Sequence, residues 1–333
     1  MTAVQQRRVA FVVACAAGVC ALAISASALT PYRLGILAVV AIYTVAALAQ
    51  NLLSGYADIP SLGNIAFFAA AGYTAGELLD LAHWPAAAAL LGGVAAAALL
   101  GLLVGLPALR ISGMHLAIVT VALVFVGKEL MDNWDQQRGQ DGVSVGQPSW
   151  LLDDRVLYVV AVIVAAVAYL LVRNLLRSRS GRAILAVGEN PYAAAAVGVD
   201  TVRYRLGTFV LCGALTGAAG VVYLYHLQTI NSGAFPLDLS LAFLTMMIIG
   251  GSRSLVGSLV GGIIIGFLPD ILSLLPATIG DINVLDSIFG IYALLLLITL
   301  RFFPDGLWNV VDRSVRGWLQ GRRSFGAELT QTP

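Results

Sequence analysis

Charged residues are scarce in this chain. Asp, Glu, Lys and Arg make up 11% of its 333 residues, whereas an ordinary soluble domain has about 25%. Hydrophobic residues make up 59%, and the formal net charge is only +1. A balance so close to neutral gives no overall basic field that would attract nucleic acid. The composition therefore excludes a soluble nucleic-acid-binding domain and predicts an integral membrane protein.

The motifs of catalysis and metal binding are also missing. No G-x-x-x-x-G-K-[ST] sequence occurs, so the chain has no such loop to hold the phosphates of ATP. The histidines are scattered, without an H-E-x-x-H motif, and no paired carboxylates suggest a hydrolase. The cysteines lie in apolar runs without a CxxC pair, which indicates small buried side chains. We predict no catalytic residues, no metal and no cofactor. The histidines of the chain are His83, His115 and His226, and its cysteines are Cys15, Cys20 and Cys212.

Long apolar stretches dominate what is present. A membrane-crossing helix needs about 20 apolar residues, and this measure predicts an all-α membrane protein with about ten spans. The predicted spans are 9–29, 34–53, 65–82, 86–109, 112–131, 156–172, 204–227, 239–251, 255–275 and 286–300.

The first of these stretches has two interpretations. Residues 9–29 follow Arg7 and Arg8 and end in small residues, as a cleaved secretion signal would. The stretch is longer than the apolar part of a typical signal, about 7–15 residues, and further spans follow it. This length favours an uncleaved first transmembrane helix.

The distribution of arginine predicts the orientation in the membrane. Basic residues concentrate in cytoplasmic loops, and an even number of spans puts all the arginine-rich segments on one side. We therefore expect both termini to be cytoplasmic, with a permease domain over 1–310, an acidic extracellular loop at 132–155 and a basic tail at 311–333. The arginines are Arg7, Arg8, Arg173, Arg177, Arg179, Arg182, Arg203, Arg205, Arg313, Arg316, Arg322 and Arg323.

Two segments interrupt the helical pattern at membrane depth. Residues 54–64 contain Gly55, Pro60 and Gly63, and residues 231–241 precede a short span. Irregular backbone at this depth is tolerated where protein or a water-filled cavity satisfies its polar groups. Broken helices at matching places in two halves point to a transport site between structural repeats. The two segments resemble each other only over a short length, so either pseudo-symmetric halves or chance explains the similarity.

The chain resembles the LivM-like permease subunits of branched-chain amino acid ABC importers over roughly residues 35–308. Each matching segment is weak evidence alone, but the order and spacing of the segments together are specific for this family. The matching segments are 51–56 (NLLSGY), 61–68 (SLGNIAFF), 72–75, 109–113 (LRISG), 116–120, 178–183 (SRSGRA), 189–198, 209–220, 250–251, 255–257 and 303–307 (FPDGL).

The resemblance implies an import subunit that is driven by other chains. The expected partners are a second, LivH-like permease, two cytoplasmic LivG/LivF-like ATP-binding subunits, an extracytoplasmic substrate-binding protein and the lipid bilayer of the bacterial inner membrane. It also implies a coupling helix at 181–198, within a cytoplasmic loop at 178–202. Asn190 suits a helix cap and Pro191 suits a first helical turn. The expected ATPase-coupling residues are Arg182, Glu189, Asn190, Pro191, Ala193, Ala194 and Gly198.

The expected translocation pathway follows the broken segments, where backbone and small polar side chains are exposed. The chain departs from the family pattern there. Asn64 replaces a common histidine, Asp58 and Ile59 replace Gly-Gln, and Met114 replaces an acidic residue. The cargo is therefore open between branched-chain amino acids and urea, short amides or aromatic acids. The alternative function is a self-sufficient channel or secondary carrier. The candidate pathway residues are Asp58, Ser61, Asn64, His115 and Ser240.

Overall fold

A computed structural model describes residues 30–111, 113–137, 143–144, 153–273, 278–279, 282–283, 288–302 and 306–308. Within these residues the regular secondary structure is helical apart from two pairs of two-residue strands, in agreement with the predicted all-α class. The predicted first span, the tail at 311–333, Cys15 and Cys20 lie outside the described residues.

Eleven α-helices, numbered in chain order, make up the described fold. They are α1 (Pro31–Gln50), α2 (Asn64–Asp80), α3 (Ala86–Ala108), α4 (Met114–Gln137), α5 (Asp154–Arg177), α6 (Arg179–Glu189), α7 (Pro191–Ala196), α8 (Thr201–Leu227), α9 (Leu237–Gly250), α10 (Leu255–Ser273) and α11 (Ile288–Phe302). A π-helical turn, Asn51–Tyr56, extends α1, and a 3₁₀ turn, Ser232–Ala234, precedes α9.

Seven helical segments of the described chain are long and apolar enough to cross a membrane. Helix α2, with 17 residues, and the apolar part of α11, Gly290–Phe302, are shorter. The predicted count of about ten spans, the cytoplasmic position of both termini and the pseudo-symmetry of the halves remain predictions.

Helix α1 lies at the centre of the bundle and packs against α5, α8 and α10. It is apolar on all faces, as expected for a helix surrounded by protein, and its side chains from Ile42 to Gln50 are buried. Helices α2 and α3 pack against α8, whereas α4 is mostly exposed. The core therefore sits around α1 and α8.

Glycines allow the closest helix contacts. A side chain on Gly101 would meet the carbonyl oxygen of Phe209 at 2.6 Å, and one on Gly105 would meet Leu206 at 2.8 Å. Side chains on Gly257 and Gly261 would collide with the backbone of α9. Small residues four apart permit such close approach, and both glycine pairs lie at close helix crossings.

The predicted loop at 132–155 begins later than expected, because α4 continues to Gln137. Asp135 explains this extension: its carboxylate accepts hydrogen bonds from the Tyr73 hydroxyl, at 3.1 Å, and from the Ser232 backbone N–H, at 2.8 Å. Strand β1 (Val143–Ser144) then pairs with β2 (Thr229–Ile230). The loop is thereby attached to the residues directly before the second broken segment. Strands β3 (Thr278–Ile279) and β4 (Ile282–Asn283) form a separate pair.

Candidate translocation and coupling site

The first predicted break is a loop, residues 57–63, that follows the π-helical turn. In this turn a backbone hydrogen bond reaches back five residues instead of four, since the Ala57 N–H donates to the carbonyl oxygen of Leu52 at 3.2 Å. π-Helical turns inside helices occur frequently at functional sites. Asp58 adopts a left-handed backbone (φ 53°) and is exposed. The change of backbone direction here separates α1 from α2.

Side chains from three helices satisfy the backbone of the 57–63 loop. Gln50 Nε2 donates to the Ser61 carbonyl oxygen at 2.9 Å. Thr120 Oγ1, on α4, accepts from the Leu62 N–H at 3.0 Å. The Ser240 hydroxyl, in the first turn of α9, donates to the Leu62 carbonyl oxygen. Protein groups thus satisfy the irregular backbone of this loop, as the interior of a membrane would require.

Two buried amides beside this loop retain unused hydrogen-bonding capacity. Asn64 is fully buried, and its Oδ1 lies 3.1 Å from the Cys212 sulfur. Asn64 Nδ2 and Gln50 Oε1 make no hydrogen bond to any described residue. Buried polar groups are normally paired. The site therefore offers one donor and one acceptor next to a broken helix.

The structure brings together three of the five candidate pathway residues. Ser61, Asn64 and Ser240 are buried around the loop. Asp58 lies exposed at the edge of the loop, and His115 lies exposed in the first turn of α4, outside this hydrogen-bond network. Sequence reasoning missed Gln50 and Thr120. Their signal was a polar side chain beside an apolar run: Gln50 ends the run in α1, and Thr120 lies between valines in α4.

The predicted coupling segment, 178–202, contains two short helices, α6 and α7, and not the single helix expected over 181–198. Ser178 Oγ accepts from the Gly181 N–H at 3.2 Å and caps α6. Asn190 Oδ1 accepts from the N–H groups of Tyr192 and Ala193, at 3.1 and 3.0 Å, and caps α7. Pro191 occupies the first turn of α7. The predicted roles of Asn190 and Pro191 in the helix start are confirmed.

Helix α7 and the residue that follows it, Val197, present an apolar surface outward. Tyr192 is 87% exposed and Val197 is 79% exposed, whereas Ala194 is buried against the bundle. Ala193 is also exposed, as are Arg182 on α6 and Gly198, whose φ is 83°. A glycine tolerates this left-handed conformation at a helix end.

A cavity of about 590 Å³ joins the coupling segment to the 57–63 loop. Its wall includes Ser61 and Leu62 on one side and Gly188, Glu189 and Pro191 on the other. Gly188 is essential to this proximity, since a side chain there would meet the Tyr56 carbonyl oxygen at 2.6 Å. The end of α6 therefore rests directly on the π-helical turn.

We predict that Asn190→Ala loosens α7 without unfolding the bundle. Loss of an N-cap costs about 1 kcal/mol, and the two capping bonds act only within α7. Amide hydrogen exchange over 191–196 should accelerate about fivefold, the change that 1 kcal/mol produces. Asn190→Ser, which retains a capping oxygen, serves as the control. Equal protection in the alanine variant and the unmodified protein would contradict the capping role.

The fold and site define a multi-pass helical membrane protein. The family model described as the branched-chain amino acid transport system permease component matches residues 32–300, and the chain belongs to this family of inner-membrane permeases.

Two similar relatives are high-affinity branched-chain amino acid transport permease proteins LivM. The protein of Salmonella typhimurium is 29% identical over 245 residues, and that of Escherichia coli is 28% identical. Each alignment covers 64% of this chain and 57% of the relative, so the chain spans a little over half of the length of these relatives. A solved structure, PsaBC from Streptococcus pneumoniae in complex with Fab, matches 83% of this chain and 93% of its own at 14% identity, with a TM-score of 0.45.

Proposed function

We propose that this chain is the permease subunit of an ATP-driven solute importer, in which residues 181–198 couple the membrane domain to a separate ATPase. The observation that carries the proposal is the exposed apolar surface of α7, formed by Tyr192, Ala193 and Val197, on a segment that rests on the π-helical turn. Exposed apolar side chains that cluster on a polar segment are typical of a protein interface.

The charges at the two ends of the bundle support the orientation. The end that carries α6 and α7 is rich in arginine, whereas the opposite end carries carboxylates. Because basic loops face the cytoplasm, we infer that α7 faces the compartment that contains ATP. The arginines include Arg173, Arg177, Arg179, Arg182, Arg203, Arg205 and Arg253, and the carboxylates include Glu77, Asp80, Glu129, Asp132 and Asp135.

The 57–63 loop provides the proposed pathway. Ser61, Asn64 and Ser240 lie beside it, and the unused groups of Asn64 and Gln50 provide one donor and one acceptor. The cavity lined by this loop opens toward the coupling segment. A movement of α7 would therefore alter the walls of the same cavity through which a small polar solute could pass.

The proposed assembly contains a second permease, two ATP-binding subunits and an extracytoplasmic binding protein. The names of the LivM relatives favour a branched-chain amino acid as the cargo. The departures at Asp58, Ile59, Asn64 and Met114 make urea, short amides and aromatic acids the alternatives. Thermal stabilisation of the cognate binding protein by each solute separates these possibilities.

We predict that Ala193→Trp breaks the interaction with the ATPase. Ala193 is exposed on α7, so a large ring there leaves the bundle intact but prevents a close-packed contact. Losing the central contact of an interface commonly costs 2 kcal/mol or more. ATPase copurification should therefore fall at least about tenfold, with loss of the ATP turnover that the binding protein stimulates.

Ala122→Trp is the matched control, because Ala122 is exposed on α4, away from the coupling segment. Unchanged ATPase binding by Ala193→Trp would refute the docking role of α7. Solute movement by the purified chain alone, in vesicles without ATP, would instead support the self-sufficient channel or carrier.

A further inference from the structure

We propose that Arg253 is a positioning residue that transmits movement of the coupling segment to the broken helix. This inference rests on the proposed function, and it adds a specific contact through which α6 and α7 act. Arg253 lies in the turn between α9 and α10, far from the coupling segment in sequence. Its contacts join three parts of the site that the sequence separates.

The backbone of Arg253 is held in an unusual conformation. Its φ is 60°, in the left-handed region that residues other than glycine seldom adopt. Such a conformation costs about 1–3 kcal/mol and persists where surrounding contacts determine it. Here the Arg253 N–H donates to Oδ1 of the fully buried Asn51, at 3.0 Å. Asn51 is the first residue of the π-helical turn.

The side chain of Arg253 makes two further contacts with different elements. Its Nε donates to the carbonyl oxygen of Gly55, in the π-helical turn, at 3.1 Å. One terminal nitrogen lies 3.4 Å from Glu189 Oε1, at the end of α6. A planar guanidinium can hold two acceptors in fixed directions, which the single ammonium of lysine cannot do. Arg253 therefore bridges the coupling segment and the broken helix.

The Glu189–Arg253 pair contributes little to folding. The two side chains are 67% and 43% exposed, and exposed ion pairs contribute about 0–1 kcal/mol. Its geometric role is distinct, because a displacement of Glu189 pulls on the same guanidinium that holds Gly55. The effect of removing the pair should consequently be small on stability and large on coupling.

The elements that Arg253 contacts are connected to the 57–63 loop of the proposed pathway. The π-helical turn continues directly into the 57–63 loop, whose Leu62 carbonyl oxygen accepts the Ser240 hydroxyl of α9. Helix α9 in turn leads to the turn that contains Arg253. Movement of α6 would thus reach the loop from two directions, through Gly55 and through α9.

The test uses the reconstituted complex of permeases, ATPases and binding protein, and measures solute transported per ATP hydrolysed. Arg253→Gln should lower this ratio at least about fivefold, the lower end of typical coupling between sites, while the ATPase still copurifies. Glu189→Gln should also lower the ratio, and since Glu189 is exposed, this variant poses little risk to folding. Arg203→Gln, at an exposed arginine in the first turn of α8, is the control.

The double variant decides between a shared contact and two separate effects. If Glu189 and Arg253 act through one contact, the double variant is no worse than the more severe single variant. Additive losses, or a normal ratio in Arg253→Gln, would overturn the role of Arg253. Normal coupling in this variant together with loss of ATPase binding by Ala193→Trp would leave the proposed function standing. Failure of the ATPase to bind even the unmodified chain would refute both the proposed function and the role of Arg253.

Discussion

Gly220→Ala should destabilise the bundle by about 3 kcal/mol, the upper end of the usual cost of overpacking. Gly220 lies on α8 where this helix crosses α2. An added methyl group would collide with the carbonyl oxygen of Phe68 and lie 2.8 Å from its carbonyl carbon. Because these are backbone atoms, no side-chain rotation relieves the contact, and the two helices must separate.

The measurement is thermal unfolding of the purified protein in detergent, with a fall of about 5 °C in the melting temperature expected. Gly207→Ala is the matched control on the same helix, since a methyl group there meets nothing within 4 Å. Alanine is favoured over glycine inside a helix by about 1 kcal/mol, so the control should be neutral or slightly stabilising. Similar melting temperatures for the two variants would contradict the close crossing of α2 and α8.

The sequence predicts the broken helix well because its signals are local. Gly55, Pro60 and Gly63 interrupt an apolar stretch whose length would otherwise suit a continuous span. The start of α7 is equally local, since Asn190 caps the proline-initiated helix that follows it. Short-range chemistry of this kind depends on neighbouring residues alone, and a single sequence contains all of it.

The contacts of Arg253 could not be predicted in the same way. From the sequence, Arg253 indicates only the side of the membrane on which its turn lies. Its actual partners, Asn51, Gly55 and Glu189, are separated from it by 202, 198 and 64 positions. Such contacts depend on how α1 packs against α10, which periodicity does not determine. Thr120 was missed for the same reason, because its role follows from the placement of α4 beside the 57–63 loop.

Asp135 shows how a correct general pattern can mislead about one residue. Its acidic neighbours predicted an extracellular loop, and the concentration of carboxylates at this end of the bundle supports the proposed orientation. Yet Asp135 itself is buried and accepts hydrogen bonds from Tyr73 and Ser232. Composition describes the surface on average, whereas an individual carboxylate follows the donors that surround it.

The final prediction concerns Asn51, the buried amide that connects the π-helical turn to the turn containing Arg253. Its Nδ2 lies 2.7 Å from Ser258 Oγ and 2.9 Å from the Ser254 carbonyl oxygen, and its Oδ1 accepts from the Arg253 N–H. Asn51→Leu removes these three bonds and a longer one, 3.5 Å, from Nδ2 to the Gly251 carbonyl oxygen. Since each buried group left unpaired costs about 1–3 kcal/mol, we expect a total loss near 4 kcal/mol.

The same substitution should also release the left-handed conformation of Arg253, because the bond to its N–H is lost. Ser258→Ala is the control: it removes one of the partners of Asn51 and should cost about 1 kcal/mol. Thermal unfolding ranks the two variants, and hydrogen exchange at Arg253 reports the local change. If Asn51→Leu were no less stable than Ser258→Ala, the turn would be held by helix packing alone. Arg253 could then not transmit movement from Glu189 to Gly55. A turn that is not held by Asn51 would move together with Glu189 and would leave Gly55 in place.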